Sequence, residues 1–352
     1  MKKIISIIFS MIIVLGISGQ SYAEDYNIDK VISDTASYIY QTIDTPQVSS
    51  VGGEWAILGL ARSGIDIPKE YYEKYYANLE EYLKNKNGIL HSKKYTEYSR
   101  VIIALTSIGK NPENVAGYNL LLPLADYEKT IWQGINGPIW ALIALDSGNY
   151  EIPQNPQAKT QATREMYINR ILECQLSDGG WSLTSSKDIN SKSDADVTGM
   201  AIQALAKYQD NERVNTAINK ALDCMSRNQD NEGGFSSWGT ANSESCVQMI
   251  VVLCELGIPI DDLRFVKNNN TILDNLMNYY EDGKGFKHTL DEQEVNLMAT
   301  EQGLYGIVAA KRIRDGESSL YRMSDSNDTN KVIEILNAEN ILVVIKFLMC
   351  VI

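Results

Sequence analysis

The chain has 352 residues, 44% of them apolar, and a formal net charge of −13 at neutral pH. An acidic surface of this kind repels phosphate backbones and anionic lipid heads, which excludes nucleic acid as a partner, while the apolar fraction is enough to bury one large core. The only histidines are His91 and His288, and the five cysteines are odd in number and unpaired in spacing, so no Cys/His set has zinc spacing and no cofactor is expected.

The N-terminus begins Met1-Lys2-Lys3, runs apolar from Ile4 to about Gly19, and ends in Ser21-Tyr22-Ala23, a small-x-small site before Glu24. A charged start, a short apolar core and a small-residue exit predict a signal peptide over residues 1–23 and a secreted or cell-surface protein. The apolar run falls short of the ~20 residues a spanning helix needs. Its loss, taking Lys2 and Lys3 and no acid with it, makes the mature chain more negative still.

Beyond it a helical segment recurs six times around a small-residue-then-Leu step: Gly59-Leu60, Ala104-Leu105, Ala144-Leu145, Ala204-Leu205, Val252-Leu253 and Gly306-Ile307, spaced 40 to 60 residues apart. Each interval fits a helical hairpin with its loops. Four residues before each Leu-type position stand Ala56, Val101, Ala141, Ala201, Met249 and Gly303, mostly small again and on one face with the step. Small faces let helices approach closely, as an inner ring requires. The partner segments, 70–84, 165–175, 213–227 and 271–281, are longer, richer in tyrosine and charge, and read as an outer ring.

Between outer and inner segments comes a second repeated signal: Gln175-Leu-Ser-Asp-Gly-Gly-Trp181, Gln229-Asp-Asn-Glu-Gly-Gly-Phe235 and, less fully, Tyr280 to Phe286. The glycines supply a tight turn off the outer helix, and the aromatic plugs the gap between hairpins. These segments resemble the prenyltransferase and squalene-oxidase repeat, whose Q-x3-G-x-W motif Gln175 to Trp181 meets in full. The resemblance spans about Tyr26 to Met323. It implies an all-α (α/α)6 toroid, residues 24–325, with a pocket at one end of its inner helices.

Three constellations could carry chemistry. Asp194-Ala195-Asp196-Val197-Thr198 opens the fourth inner helix and resembles the DxDD-T motif of class II terpene cyclases such as squalene-hopene cyclase. That resemblance makes Asp194 and Asp196 the catalytic candidates, with Asp196 as the proton donor to an alkene. Val197 stands where the last aspartate belongs, which removes part of the hydrogen bonding that strengthens the acid. Carbocations also want aromatic walls, and only Trp55, Trp140, Tyr98 and Tyr305 lie on inner segments. The alternative for Asp194 or Asp196 is a helix cap, and Glu54, Glu97, Glu244 and Glu301 sit similarly near inner-helix starts. Glu244-Ser245-Cys246 echoes the Asp-x-Cys part of the protein prenyltransferases' zinc site, but the last inner helix has no histidine to complete it, so no metal site is expected.

Five residues before each Leu-type position stand Trp55, Arg100, Trp140, Met200, Gln248 and Gln302. Large or polar side chains beside small ones either bridge adjacent helices or line a pocket of aromatic and amide character. The pocket reading makes Trp55, Arg100, Trp140, Asp196, Gln248 and Gln302 the ligand-binding candidates. The reading preferred from sequence is a binding scaffold for a small, partly apolar molecule without catalysis, similar in architecture to the cobalamin carriers of the transcobalamin and intrinsic-factor group. A divergent class II cyclase and a carboxylate-dependent glycan hydrolase are the alternatives, since (α/α)6 barrels also host glycan-cleaving carboxylate pairs.

Cys246 and Cys254 stand eight residues apart on one helix, about 12 Å by the helical rise, too far to bridge, so buried free thiols are expected. Residues 326–352 fall outside the repeat. They end in the apolar run Ile341 to Ile352, too short to span a bilayer.

Overall fold

The computed structural model describes residues 26–184 and 191–323. The predicted signal peptide and the 326–352 tail lie outside the described residues. The described chain alternates outer and inner helices: α1 (Ile28–Thr42), α2 (Trp55–Arg62), α3 (Lys69–Asn85), α4 (Thr96–Ser107), α5 (Tyr127–Thr130), α6 (Asn136–Ser147), α7 (Arg164–Glu173), α8 (Ala195–Leu205), α9 (Glu212–Asn228), α10 (Ser243–Leu256), α11 (Ile272–Met277) and α12 (Leu297–Arg314). The even-numbered helices carry the six small-Leu steps. Each packs on the next, and α12 packs back on α2, so the inner ring is closed. This is the expected (α/α)6 toroid.

Burial separates the rings. α9 buries Val214, Ala217, Ile218, Ala221, Leu222 and Met225, one stripe at helical spacing with polar residues opposite. α10 is buried at every residue from Ser243 to Glu255, as a helix enclosed on all sides must be. Small residues set the approach inside the ring: a Cβ on Gly59 would lie 3.0 Å from the Leu304 side chain, and one on Gly306 2.9 Å from Val247.

The repeated turns lock neighbouring hairpins. Gln175 Nε2 donates to the carbonyls of Gly179 and Ala217, and Gln229 Nε2 likewise to those of Gly233 and Phe265. Trp181 is fully buried, its indole N–H donating to the Ile171 carbonyl at 2.7 Å. Its backbone N–H donates to Thr198 Oγ1 on α8, and Phe286 makes the same bond to Thr300 on α12.

Two outer elements depart from the predicted ring. The helix expected over 271–281 stops at Met277, because Tyr280–Glu281 pairs antiparallel with Gly285–Phe286 in a hairpin whose Asp-Gly turn places Gly283 at φ 74°. The third outer helix, α5, is a single turn. A further feature has no counterpart in the repeat: after α12 the chain crosses the C-terminal ends of the inner helices. There Glu255 accepts from Ser319 Oγ and the Tyr321 N–H, Arg62 donates to the Ser319 carbonyl, and the Met323 N–H donates to the Ser147 carbonyl. That strap closes one end of the ring.

Candidate functional site

At the opposite end the inner helices start around a cavity of ≈ 470 Å³. Its floor and walls include Trp55, Trp140, Met200, Gln248 and Gln302, five of the six residues in the predicted column, together with Asp196 and Tyr305. The sixth, Arg100, is not on the wall. Its Nε donates to Glu54 Oε2 at 2.7 Å, and its Nη2 is paired with Glu97.

The aromatic side is a continuous cluster. The rings of Trp55 and Trp140 lie 5.2 Å apart, Trp55 and Tyr305 5.9 Å, and Trp140 meets Tyr321 of the strap edge-on at 6.4 Å. Tyr98 takes no part: its hydroxyl accepts from the Leu90 N–H. The amide side is a chain across three helices. Gln203 Nε2 donates to the carbonyl and the side-chain oxygen of Gln248, Gln248 Nε2 donates to the Tyr305 hydroxyl, and that hydroxyl donates to Gln302 Oε1. Bridging neighbouring helices and lining the cavity are therefore one arrangement for Gln248 and Gln302.

The Asp194 and Asp196 side chains have different jobs. Asp194 is the N-cap of α8: Oδ1 accepts from the Val197 N–H at 3.1 Å and Oδ2 from Ser237 Oγ at 2.6 Å. Asp196, two residues into the helix, does not cap it. It faces the cavity and accepts from Ser245 Oγ at 2.6 Å, while burial pushes its carboxyl up to about 6 against the pull of that bond. Glu54 and Glu301, near the starts of α2 and α12, are fully buried away from the cavity wall. Burial pushes Glu54 up to about 7 against the opposing attraction of Arg100, and Glu301 up to about 8.

Loops bring in residues that the inner-helix columns do not contain. His288, ahead of α12, reaches the mouth of the cavity with Nδ1 2.8 Å from Glu244 Oε2. A hairpin of Ser236–Ser237 paired with Thr240–Ala241 carries Trp238 at its tip, on the cavity rim and 78% exposed, with φ 52° in the left-handed region. Cys246 is buried and turned away: its thiol meets Asn275 Oδ1 and the backbone of Phe235, as the Thr198 and Thr300 hydroxyls meet the plugs before them. The other described cysteines, Cys174, Cys224 and Cys254, are likewise buried and free. Among the described residues no three His, Cys, Asp or Glu side chains are grouped to hold a metal ion, and no helix is long and apolar enough to cross a membrane.

A closed ring of six inner helices, with a cavity at their starts, makes the chain an α/α toroid with the fold of the protein prenyltransferases. A solved structure of Candida albicans protein geranylgeranyltransferase-I complexed with GGPP matches it at a TM-score of 0.53, covering 84% of this chain and 93% of that one. The identity is 13%, so the likeness is one of fold alone. No family model and no curated protein matches the sequence.

Proposed function

We propose that the chain is a secreted or cell-surface binding protein that holds a small, partly apolar molecule at the mouth of the toroid without transforming it. The observation that carries this is the convergence of Trp55, Trp140 and Tyr305 with Gln248 and Gln302 on one cavity, where Trp140 also packs against Tyr321 of the strap. Aromatic faces give burial, and amides already held by neighbouring helices orient polar groups at little further cost in ordering. The diphosphate of a GGPP-like ligand finds no Lys or Arg on the described wall, which argues against a prenyl diphosphate as the occupant.

A second reading has one observation in its favour. Asp196, with its carboxyl near 6, shares the cavity with Glu244, and a carboxylic acid beside a carboxylate suits glycoside hydrolysis. Alkene protonation is served less well, because a raised carboxyl is a weaker acid and Val197 stands where the last aspartate of the DxDD-T motif would be.

Native mass spectrometry of the purified protein tests the binding reading. A single small-molecule mass should ride with wild type and be missing from Met200→Trp, which fills the cavity from its wall while the helical circular dichroism is unchanged. Wild type that carries no small molecule and takes none up from a panel refutes binding. Turnover of squalene or of oligosaccharides, lost on Asp196→Asn, replaces it with the corresponding enzyme.

A further inference from the structure

We infer that the molecule held in the cavity is an organic cation, an alkylated or protonated amine on an apolar body. The inference rests on the binding reading and narrows it. Glu244 carries it: the residue is 6% exposed and lines the cavity, and its Oε1 has no hydrogen-bond partner among the described residues. The other oxygen, Oε2, is occupied by Ser243 Oγ at 3.1 Å and His288 Nδ1 at 2.8 Å. A buried carboxylate oxygen without a donor is costly, and a ligand N–H or ammonium methyl group would relieve that cost.

The surroundings favour the same sign. Asp196 stands on the neighbouring helix, joined to α10 through Ser245, and the wall among the described residues has no Lys or Arg. Arg100, the cation of the inner-helix column, is committed to Glu54 and Glu97. Helix starts attract anions, but those of α8, α10 and α12 are already capped by the side chains of Asp194, Asn242 and Asn296. Trp55, Trp140 and Tyr305 line the cavity with aromatic rings, and Trp238 stands on the rim in a backbone conformation that non-glycine residues seldom adopt. Aromatic faces around a carboxylate are the chemistry that recognises alkylammonium groups. The net charge of −13 draws cations toward the molecule as a whole.

The test is a tryptophan-fluorescence titration of the full chain with three probes of one shape: phenyltrimethylammonium, its uncharged isostere tert-butylbenzene, and the anion phenylphosphonate. The cation should bind about tenfold more tightly than the isostere and the anion most weakly. Glu244→Gln keeps the size of the side chain and should remove the preference for charge while leaving affinity for tert-butylbenzene in place. Asp196→Asn should reduce the preference in part, and reads it if Glu244→Gln does not fold. Equal or tighter binding of the neutral or anionic probe, or a preference untouched by the variant that folds, overturns the cation and leaves binding standing. Failure of all three probes to bind overturns the cation as well, and the binding reading then rests on the co-purifying mass alone.

Discussion

Trp181→Phe is the perturbation that best tests the repeated turn as a structural plug, because the second and third copies already carry Phe235 and Phe286 in the same place. Two losses follow. The indole N–H bond to the Ile171 carbonyl disappears, but that carbonyl keeps the Cys174 N–H at 3.1 Å, so no buried acceptor is orphaned and the cost is that of one neutral hydrogen bond, about 1 kcal/mol. The smaller ring leaves a void on the order of 40 Å³, worth about 1 kcal/mol at ~24 cal/mol per Å³. The backbone bonds to Thr198 do not depend on the ring and should persist. The expected total is about 2 kcal/mol, against roughly 3–5 for Trp181→Ala, which empties the site. Urea unfolding followed by far-ultraviolet circular dichroism measures both, provided the slopes match wild type. Equal costs for Phe and Ala would mean that the site is built for indole alone and that the three turns are not equivalent. No cost for either would take Trp181 out of the core.

Asp194→Ala removes the α8 cap and should cost about 1 kcal/mol in urea unfolding, whereas Asp194→Asn should cost only a few tenths; equal losses for the two would deny the cap. Glu301, raised to about 8 by burial first and by Glu54 second, binds its proton more tightly in the folded chain than in the unfolded one. Its contribution to stability is therefore full below its ordinary value of 4.5 and is lost as pH rises through about 8, so Glu301→Gln should flatten the fall in unfolding free energy between about pH 5 and about pH 9, and an unchanged fall would refute the assignment. Exported protein should have an intact mass that begins at Glu24, and a retained Met1 would defeat the signal peptide.

How much of the toroid could be read from residues follows from what its inner helices must do. They are enclosed, so the close approach of neighbours leaves a small residue at a fixed position in most of them, and Gly59 against Leu304 and Gly306 against Val247 are the contacts behind that pattern. The outer ring needs only one apolar stripe, which a single turn such as α5 cannot display and which a hairpin replaced after Met277. The strap over residues 318–323 was illegible for a related reason: it is held by Glu255, Arg62 and Ser147, residues whose partners are remote in sequence and follow no period.

The site itself was legible where it lies on helices and not where it lies on loops, and the caps supply a register that would have carried the reading further. Asp194, Asn242 and Asn296 each cap the helix that follows, so counting from them aligns the three starts without reference to the Leu steps. Two residues on come Asp196, Glu244 and Met298, and six residues on come Met200, Gln248 and Gln302, all of them on the cavity wall. Four residues on come Thr198, Cys246 and Thr300, all of them turned outward to the aromatic plugs. Cys246 therefore takes the place of a threonine that ties a hairpin together. Its resemblance to a zinc ligand dissolves once Glu244, two positions earlier, is seen to face the opposite way. The same count separates Asp194 from Asp196: one caps the helix through the Val197 N–H, and the other is left facing the cavity beside Glu244.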